Sequence, residues 1–296
     1  MLISIQAVII PQSAGIVKNN PGGCAWVIIK PMAMRGSKLL KIILPLAAGV
    51  LLFIWLAETP PGLLGKMDAI SYAVCHRIDA RSFHLGERQL PLCARCSGMY
   101  LGALIGLFYQ LPLAPRAGLP TRKVSLVLLA FLVAFGVDGV NSYIQLIPNA
   151  PSLYEPTNPL RLLTGSMLGI GLMAVLLPTF RQVVWTAPDP AAGLHSWKQI
   201  GGLIGLAGLV DLIVLWENPI LIYPLAILSS LTVPLILSMV YCMLLIMAFK
   251  RENQAQGWQD LWLWMVAGGG LALLQIALVD WIRLALTGSW NGFLVG

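Results

Sequence analysis

Seven long apolar windows constrain this chain more than any other feature of its sequence. Each reaches or approaches the roughly 20 residues that a helix needs to cross a hydrocarbon layer about 30 Å thick. The windows cover residues 39–57, 97–112, 124–147, 160–180, 200–216, 220–249 and 261–282. Because a backbone in lipid must satisfy its own hydrogen bonds, they predict an all-α, polytopic integral membrane bundle of about seven transmembrane helices.

The composition excludes a water-soluble fold. Apolar residues make up 58% of the 296 residues and charged residues only 10%, whereas roughly 25% of residues are charged in soluble domains. The net charge is +7, but the basic residues lie in short clusters between apolar windows and form no single basic face. We therefore expect a lipid bilayer, and no nucleic acid, as partner.

The windows also divide the chain. Residues 1–33 are broken by proline and glycine and too short in each apolar run to span a membrane, so we expect a disordered or over-extended N-terminus. Residues 34–180 are expected to form a membrane core, and residues 181–296 an additional membrane region of three helices.

The distribution of basic residues predicts the orientation. With the N-terminus in the cytoplasm, twelve Lys and Arg residues fall on the inner side and seven on the outer side. Five of those seven lie in the loop between the first two windows. The asymmetry follows the positive-inside rule and makes this loop extracytoplasmic.

The same loop carries a group of metal-ligating side chains. Cys75 and His76 precede a Cys-x-x-Cys pair, Cys93 and Cys96, at the start of the second window. The positive end of a helix dipole favours thiolate, the form that binds metal. We expect a Cys₃His zinc site of these four residues, with His84 as a rival fourth ligand because adjacent residues reach one ion with difficulty.

Two other interpretations of the thiols stay open. Cys93 and Cys96 could serve a membrane thiol-disulfide oxidoreductase, or they could form a structural disulfide or be small buried apolar residues. Covalent haem attachment is excluded, because Ser97 and not histidine follows Cys96.

Carboxylates in the windows predict a polar pocket beneath the loop. Asp138, Asp211 and Asp280 each fall toward the end of a window that faces the loop, and intramembrane acids are usually paired and functional. Gln145 lies on the same helical face as Asp138. The predicted side chains for a small polar or anionic ligand are Arg81, Arg88, Gln89, Arg95, Asp138, Gln145 and Arg161.

Glycines recur at every fourth position in two windows. Gly98, Gly102 and Gly106 do so in the second window, and Gly165 and Gly169 in the fourth. This spacing predicts helices that approach each other closely.

An ordered set of these residues resembles a known family. Cys75-His76, Arg81-Ser82-Phe83, Arg88-Gln89, Pro91, Cys93-Ala94-Arg95-Cys96, Gly98, Tyr100 and Gly102 are similar to the signature of the prokaryotic membrane proteins grouped as domain of unknown function 2085. The resemblance covers about residues 70–175. It implies a multi-span membrane protein, and hence the inner membrane of a prokaryotic cell, but it implies no substrate or reaction.

The resulting hypothesis is an extracytoplasmic Cys/His loop that binds zinc above a ligand-recognising polar pocket. A thiol-disulfide oxidoreductase that uses Cys93 and Cys96 is one alternative, and a small-solute transporter is a second. The sequence indicates no catalytic residue and leaves open whether the protein is an enzyme.

Overall fold

Seven of the eight helices in the described part of the chain are long and apolar enough to cross a membrane. The computed structural model describes residues 38–113, 116–145, 147 and 151–292. The helices are α1 Leu40–Glu58, α2 Leu63–Tyr72, α3 Ala94–Gln110, α4 Arg122–Ile144, α5 Asn158–Val184, α6 Trp197–Leu215, α7 Pro219–Ala248 and α8 Trp258–Thr287. The prediction of an all-α polytopic membrane bundle with seven spans is confirmed; α2 is too short to span and belongs to the loop after α1.

Two of the least regular windows form ordinary helices. The fifth window begins as α6 with a capping box, in which the Ser196 hydroxyl accepts from the Gln199 N–H and the Gln199 side chain accepts from Ser196 N–H. The sixth window is a single 30-residue helix even though Pro224 and Pro234 lie inside it.

The glycines bring α3 and α5 into backbone contact. A Cβ atom on Gly98 would overlap the carbonyl oxygen of Leu162, and one on Gly169 would overlap the carbonyl oxygen of Met99. The predicted close approach is therefore present, and it fixes the start of α3 against the start of α5.

The spans that begin or end near Cys75 and Cys93 define one end of the bundle, which we call the thiol end. There an apolar cluster joins Phe83 and Leu90 of the loop to Leu162 of α5, Val214 of α6 and Ile222 of α7. The loop is thus packed onto the starts of α5 and α7 and the end of α6.

Short strands complete both ends. At the thiol end, β1 His84–Leu85 pairs antiparallel with β2 Arg88–Gln89, with His84 opposite Gln89. Gly86 in the turn has a φ of 62°, which favours glycine. At the opposite end, β3 Arg116–Gly118 pairs in parallel with β4 Asp189–Ala192.

The predicted N-terminal segment, residues 1–33, lies outside the described residues. The division of the membrane region near residue 180 stays a prediction.

Candidate metal centre and arginine cluster

Three cysteines meet at the thiol end because two elements of the loop converge there. Cys75 follows α2 in a segment without regular structure, Cys93 is the N-cap residue of α3, and Cys96 lies in the first turn of α3. Cys75 and Cys93 are buried together with Leu92. All four cysteines in the described part of the chain, these three and Cys242 of α7, are free thiols.

His76 belongs to the same group. The ligand atoms of Cys75, His76 and Cys93 all lie within 4.8 Å of one another, and His76 Nδ1 is 3.8 Å from Cys75 Sγ. Cys75 and His76 therefore both contribute to the group although they are adjacent in the chain. Directly after them the backbone turns at Arg77, whose φ is 52°.

The Cys75 sulfur is the hydrogen-bond acceptor at the centre of this group. The backbone N–H groups of Arg77 and Cys93 each donate to Cys75 Sγ at 3.4 Å, and the thiols of Cys93 and Cys96 are near enough to shift its pKa. The pKa of Cys75 is held well below its usual value, and hydrogen bonding by the Cys93 side chain is the largest cause. Burial acts in the opposite direction, because it disfavours the thiolate. The same interaction with Cys75 raises the pKa of Cys93.

His84, the rival ligand, has a different partner. Its Nε2 atom lies 3.0 Å from Asp79 Oδ1 at the edge of β1. His84 is not in the group formed by Cys75, His76 and Cys93.

An arginine from the last helix supports the segment around Cys75. Arg283 of α8 donates to the carbonyl oxygens of Tyr72 at 2.5 Å, Cys75 at 2.6 Å and His76 at 3.3 Å. Its guanidinium also lies 3.9 Å from the centre of the Tyr72 ring. No local pattern in the sequence connects Arg283 of α8 to the loop.

Asp138 of α4 is the centre of a second polar group at the thiol end. Arg95, which lies between Cys93 and Cys96, donates to the Asp138 carboxylate through both Nε, at 3.1 Å, and Nη2. Tyr154 donates to Oδ1 at 2.9 Å and Thr164 to Oδ2 at 3.3 Å. Arg95 therefore connects the first turn of α3, which carries Cys96, to α4.

Two further arginines surround this ion pair. Arg81 donates through Nη2 to the Ser142 carbonyl oxygen at 2.8 Å, and Arg161 donates through Nη1 to Asn158 Oδ1 at 2.9 Å. Arg81 Nη1 and Arg161 Nε are buried and have no hydrogen-bond partner among the described residues. Burial, and then repulsion from Arg95, lowers the pKa of Arg81.

The other predicted ligand-binding side chains lie at the margin of this cluster. Arg88 forms an ion pair with Asp68 at 2.5 Å. Gln89 donates to the Arg77 carbonyl oxygen at 2.9 Å. Gln145 is exposed at the end of α4 and donates to the Tyr154 carbonyl oxygen at 3.4 Å.

The remaining window acids are separate from Asp138. Asp211 of α6 accepts from Ser166 Oγ at 2.7 Å, and Asp280 of α8 accepts from Trp55 Nε1 at 3.1 Å. Each therefore lies between a different pair of helices.

Comparison with known proteins places this site within a recognised family region. The family model described as "Predicted membrane protein (DUF2085)" matches residues 75–175. That segment contains the three clustered cysteines, His76 and the arginine cluster of Arg81, Arg95 and Arg161, whereas Asp211, Asp280 and Arg283 lie outside it.

Two archaeal proteins are similar to part of the chain. An uncharacterized protein of Methanocaldococcus jannaschii is 30% identical over 117 residues, which cover 40% of this chain and 70% of that protein. An uncharacterized protein of Methanothermobacter thermautotrophicus is 34% identical over 111 residues, which cover 38% of this chain and 90% of that protein. No solved structure matches the chain. The family-model match and these two relatives together show that the chain is a member of the DUF2085 family of predicted membrane proteins.

Proposed function

We propose that this integral membrane protein binds one Zn²⁺ at the thiol end and recognises a small anionic ligand at the buried arginines beside it. The observation that carries the metal proposal is the convergence of Cys75, His76 and Cys93, whose ligand atoms lie within 4.8 Å of one another. Two sulfurs and an imidazole at this spacing suit zinc, which takes Zn–S bonds of about 2.3 Å and Zn–N bonds of about 2.0–2.1 Å.

Cys96 is the proposed fourth ligand. Cys96 is not among the three residues whose ligand atoms lie within 4.8 Å of one another, but its thiol is near enough to Cys75 and Cys93 to shift their pKa values. A change of its side-chain conformation would bring it to an ion held by the other three residues. Four protein ligands leave no open position, so this zinc would be structural. Its role would be to fix the loop on the first turn of α3.

The charges around the site favour a metal bound by thiolates. Zn²⁺ with three thiolates and a neutral imidazole carries about one negative charge. Arg283 lies close enough to Cys75, and Arg81 close enough to Cys93, for their charges to interact. The arginines would therefore stabilise the loaded centre.

The anion proposal rests on an excess of buried positive charge. Arg81, Arg95 and Arg161 are near enough to repel one another, and Asp138 is the carboxylate that pairs with Arg95. The unpartnered donors, Arg81 Nη1 and Arg161 Nε, are typical of a site for a carboxylate or phosphate group, which guanidinium binds with planar geometry.

Metal analysis of the detergent-purified protein tests the zinc proposal. We expect about one equivalent of zinc in the wild type and near-background zinc in Cys75→Ser and Cys93→Ser. Cys242→Ser is the matched control, because Cys242 is also a buried free thiol but lies in α7 outside the site. Wild-type protein that lacks zinc and exchanges a Cys93–Cys96 disulfide with dithiothreitol would instead support the oxidoreductase.

Titration calorimetry with phosphate, sulfate and acetate tests the anion proposal on zinc-loaded protein. We expect saturable binding of at least one anion, weakened about tenfold or more by Arg81→Gln or Arg161→Gln, because a hydrogen bond to a charged group is lost. Arg122→Gln is the control, since Arg122 is exposed at the opposite end. No saturable binding to the wild type would contradict the proposal.

We further propose that the thiol end is extracytoplasmic and that the membrane is the inner membrane of a prokaryotic cell. The distribution of twelve Lys and Arg residues against seven supports this orientation.

A further inference from the structure

A groove between α5 and α6 is open to the bilayer at the thiol end. Its volume is about 790 Å³, within the range of roughly 300–1,000 Å³ for small-ligand pockets. Leu163 of α5 and Leu209 and Leu212 of α6 line it and are themselves exposed, Leu212 to 65%. Membrane lipids are therefore the molecules in direct contact with this groove.

Two glycines make the groove concave. Gly205 and Gly208 of α6 both line it, and no heavy atom lies within 4 Å of a Cβ built on either residue. The space where two side chains would stand is thus open. A stripe of small residues alone would indicate only close packing with another helix, but one charged group also lines the groove.

That group is Asp211, which is 5% exposed and lines the groove. Its Oδ1 atom accepts from Ser166 Oγ at 2.7 Å, whereas Oδ2 is buried without a hydrogen-bond partner among the described residues. None of the ion pairs found in the described part of the chain includes Asp211. An acid without a cationic partner at membrane depth is costly, so a donor from outside the chain would stabilise it.

The depth of Asp211 defines the kind of donor. Asp211 lies four residues, about 6 Å, before the end of α6 at Leu215, and Gly205 lies about 9 Å deeper. The carboxylate is therefore near the headgroup level at the thiol end. Gly208 and Gly205 line the part of the groove that continues from it into the hydrocarbon layer. This order, polar at the boundary and apolar below, matches the order of groups in a lipid.

We propose that this groove binds a membrane lipid with a primary ammonium headgroup. A rotation of the Asp211 side chain, which lines the groove, brings Oδ2 to the ammonium group, and one acyl chain lies over Gly208 and Gly205. The site requires a positive charge to pair with Asp211 and a hydrogen-bond donor for Oδ2. A primary ammonium supplies both. The site is distinct from the metal centre and does not depend on zinc or on the arginine cluster.

Lipid retention tests this proposal. The full-length protein is reconstituted in nanodiscs that contain equal amounts of phosphatidylethanolamine, phosphatidylcholine and phosphatidylglycerol, then released into detergent, and the retained lipids are quantified by native mass spectrometry. We expect the wild type to retain phosphatidylethanolamine preferentially. The choline group of phosphatidylcholine is a cationic quaternary ammonium without an N–H donor, and phosphatidylglycerol has no ammonium group.

Two variants address the headgroup and the chain separately. Asp211→Asn should lower the ratio of retained phosphatidylethanolamine to phosphatidylcholine about tenfold, as expected for loss of a charge-assisted hydrogen bond. Gly205→Leu should remove retention of that lipid by filling the groove. Gly201→Leu is the matched control, because Gly201 is equally open on α6 but does not line the groove.

Three results would overturn the proposal. The first is a wild type without preference for the ammonium lipid, and the second is an unchanged ratio in Asp211→Asn. The third is a wild-type dimer that Gly205→Leu dissociates without any preferential lipid retention, which would assign the groove to a second copy of the chain.

Discussion

At the scale of single residues, Asp138 is the best connected of the three window acids. It is 1% exposed and accepts hydrogen bonds from Arg95, Tyr154 and Thr164. Burial, and then the bond to Asp138, raises the pKa of Tyr154, so the phenol remains a donor over the physiological range. Asp138 thus holds the start of α3, the end of α4 and the start of α5 together.

Replacing Arg95 tests this role. Arg95→Met leaves Asp138 buried without its cation, and we expect the free energy of unfolding in detergent to fall by about 3–5 kcal/mol. Arg88→Met removes a guanidinium that is 48% exposed in its pair with Asp68, so its cost should be about 0–1 kcal/mol. Equal losses in denaturant titrations of the two variants would contradict the role given to Asp138.

At the scale of elements, close packing of α3 on α5 positions the thiol end. Backbone contact at Gly98 and Gly169 leaves no room for a side chain, and it places Arg95 within reach of α4. The loop then attaches to α5 through Asn158, whose Nδ2 atom donates to the Ser82 carbonyl oxygen at 3.3 Å.

Two separate glycine-to-alanine variants test this packing. A Cβ on Gly169 would overlap a carbonyl oxygen of α3, so Gly169→Ala should lower the free energy of unfolding by roughly 1–3 kcal/mol. Gly136 of α4 has no atom within 4 Å of the corresponding position. Gly136→Ala should therefore be neutral or slightly stabilising in thermal unfolding, because alanine is the better helix former. A larger loss in Gly136→Ala would contradict the packing argument.

The elements were predictable from sequence to the extent that they depend on local pattern. Long apolar windows specify spans, and glycine spacing specifies the contact between α3 and α5. The support of Cys75 by Arg283 crosses 208 residues of sequence, and no local periodicity encodes such a contact. For the same reason the sequence does not predict that Arg95 pairs with Asp138, although both are among the predicted ligand-binding side chains.

At the scale of the whole molecule, the thiols, His76 and Asp138 lie at the same end of the bundle. Cys93 and Cys96 flank Arg95 along the chain, and Arg95 forms the ion pair with Asp138. Arg95 therefore links the turn that carries the thiols to the buried carboxylate. The proposed orientation of that end in the membrane rests on the distribution of basic residues.

Labelling from outside the cell tests the orientation. Glu87 is exposed in the turn between β1 and β2, and Lys250 is exposed after α7 at the opposite end. An impermeant maleimide should label Glu87→Cys in whole cells and Lys250→Cys only after lysis, each compared with the wild type. The reverse pattern would place the thiol end in the cytoplasm.

The central claim is that Cys75, His76, Cys93 and Cys96 form a single zinc centre. X-ray absorption at the zinc edge of the purified protein tests it most directly. The account predicts a first shell of about three sulfurs near 2.3 Å and about one nitrogen near 2.0–2.1 Å. A shell of nitrogen and oxygen alone, or protein that binds no zinc after reconstitution under reducing conditions, would contradict it.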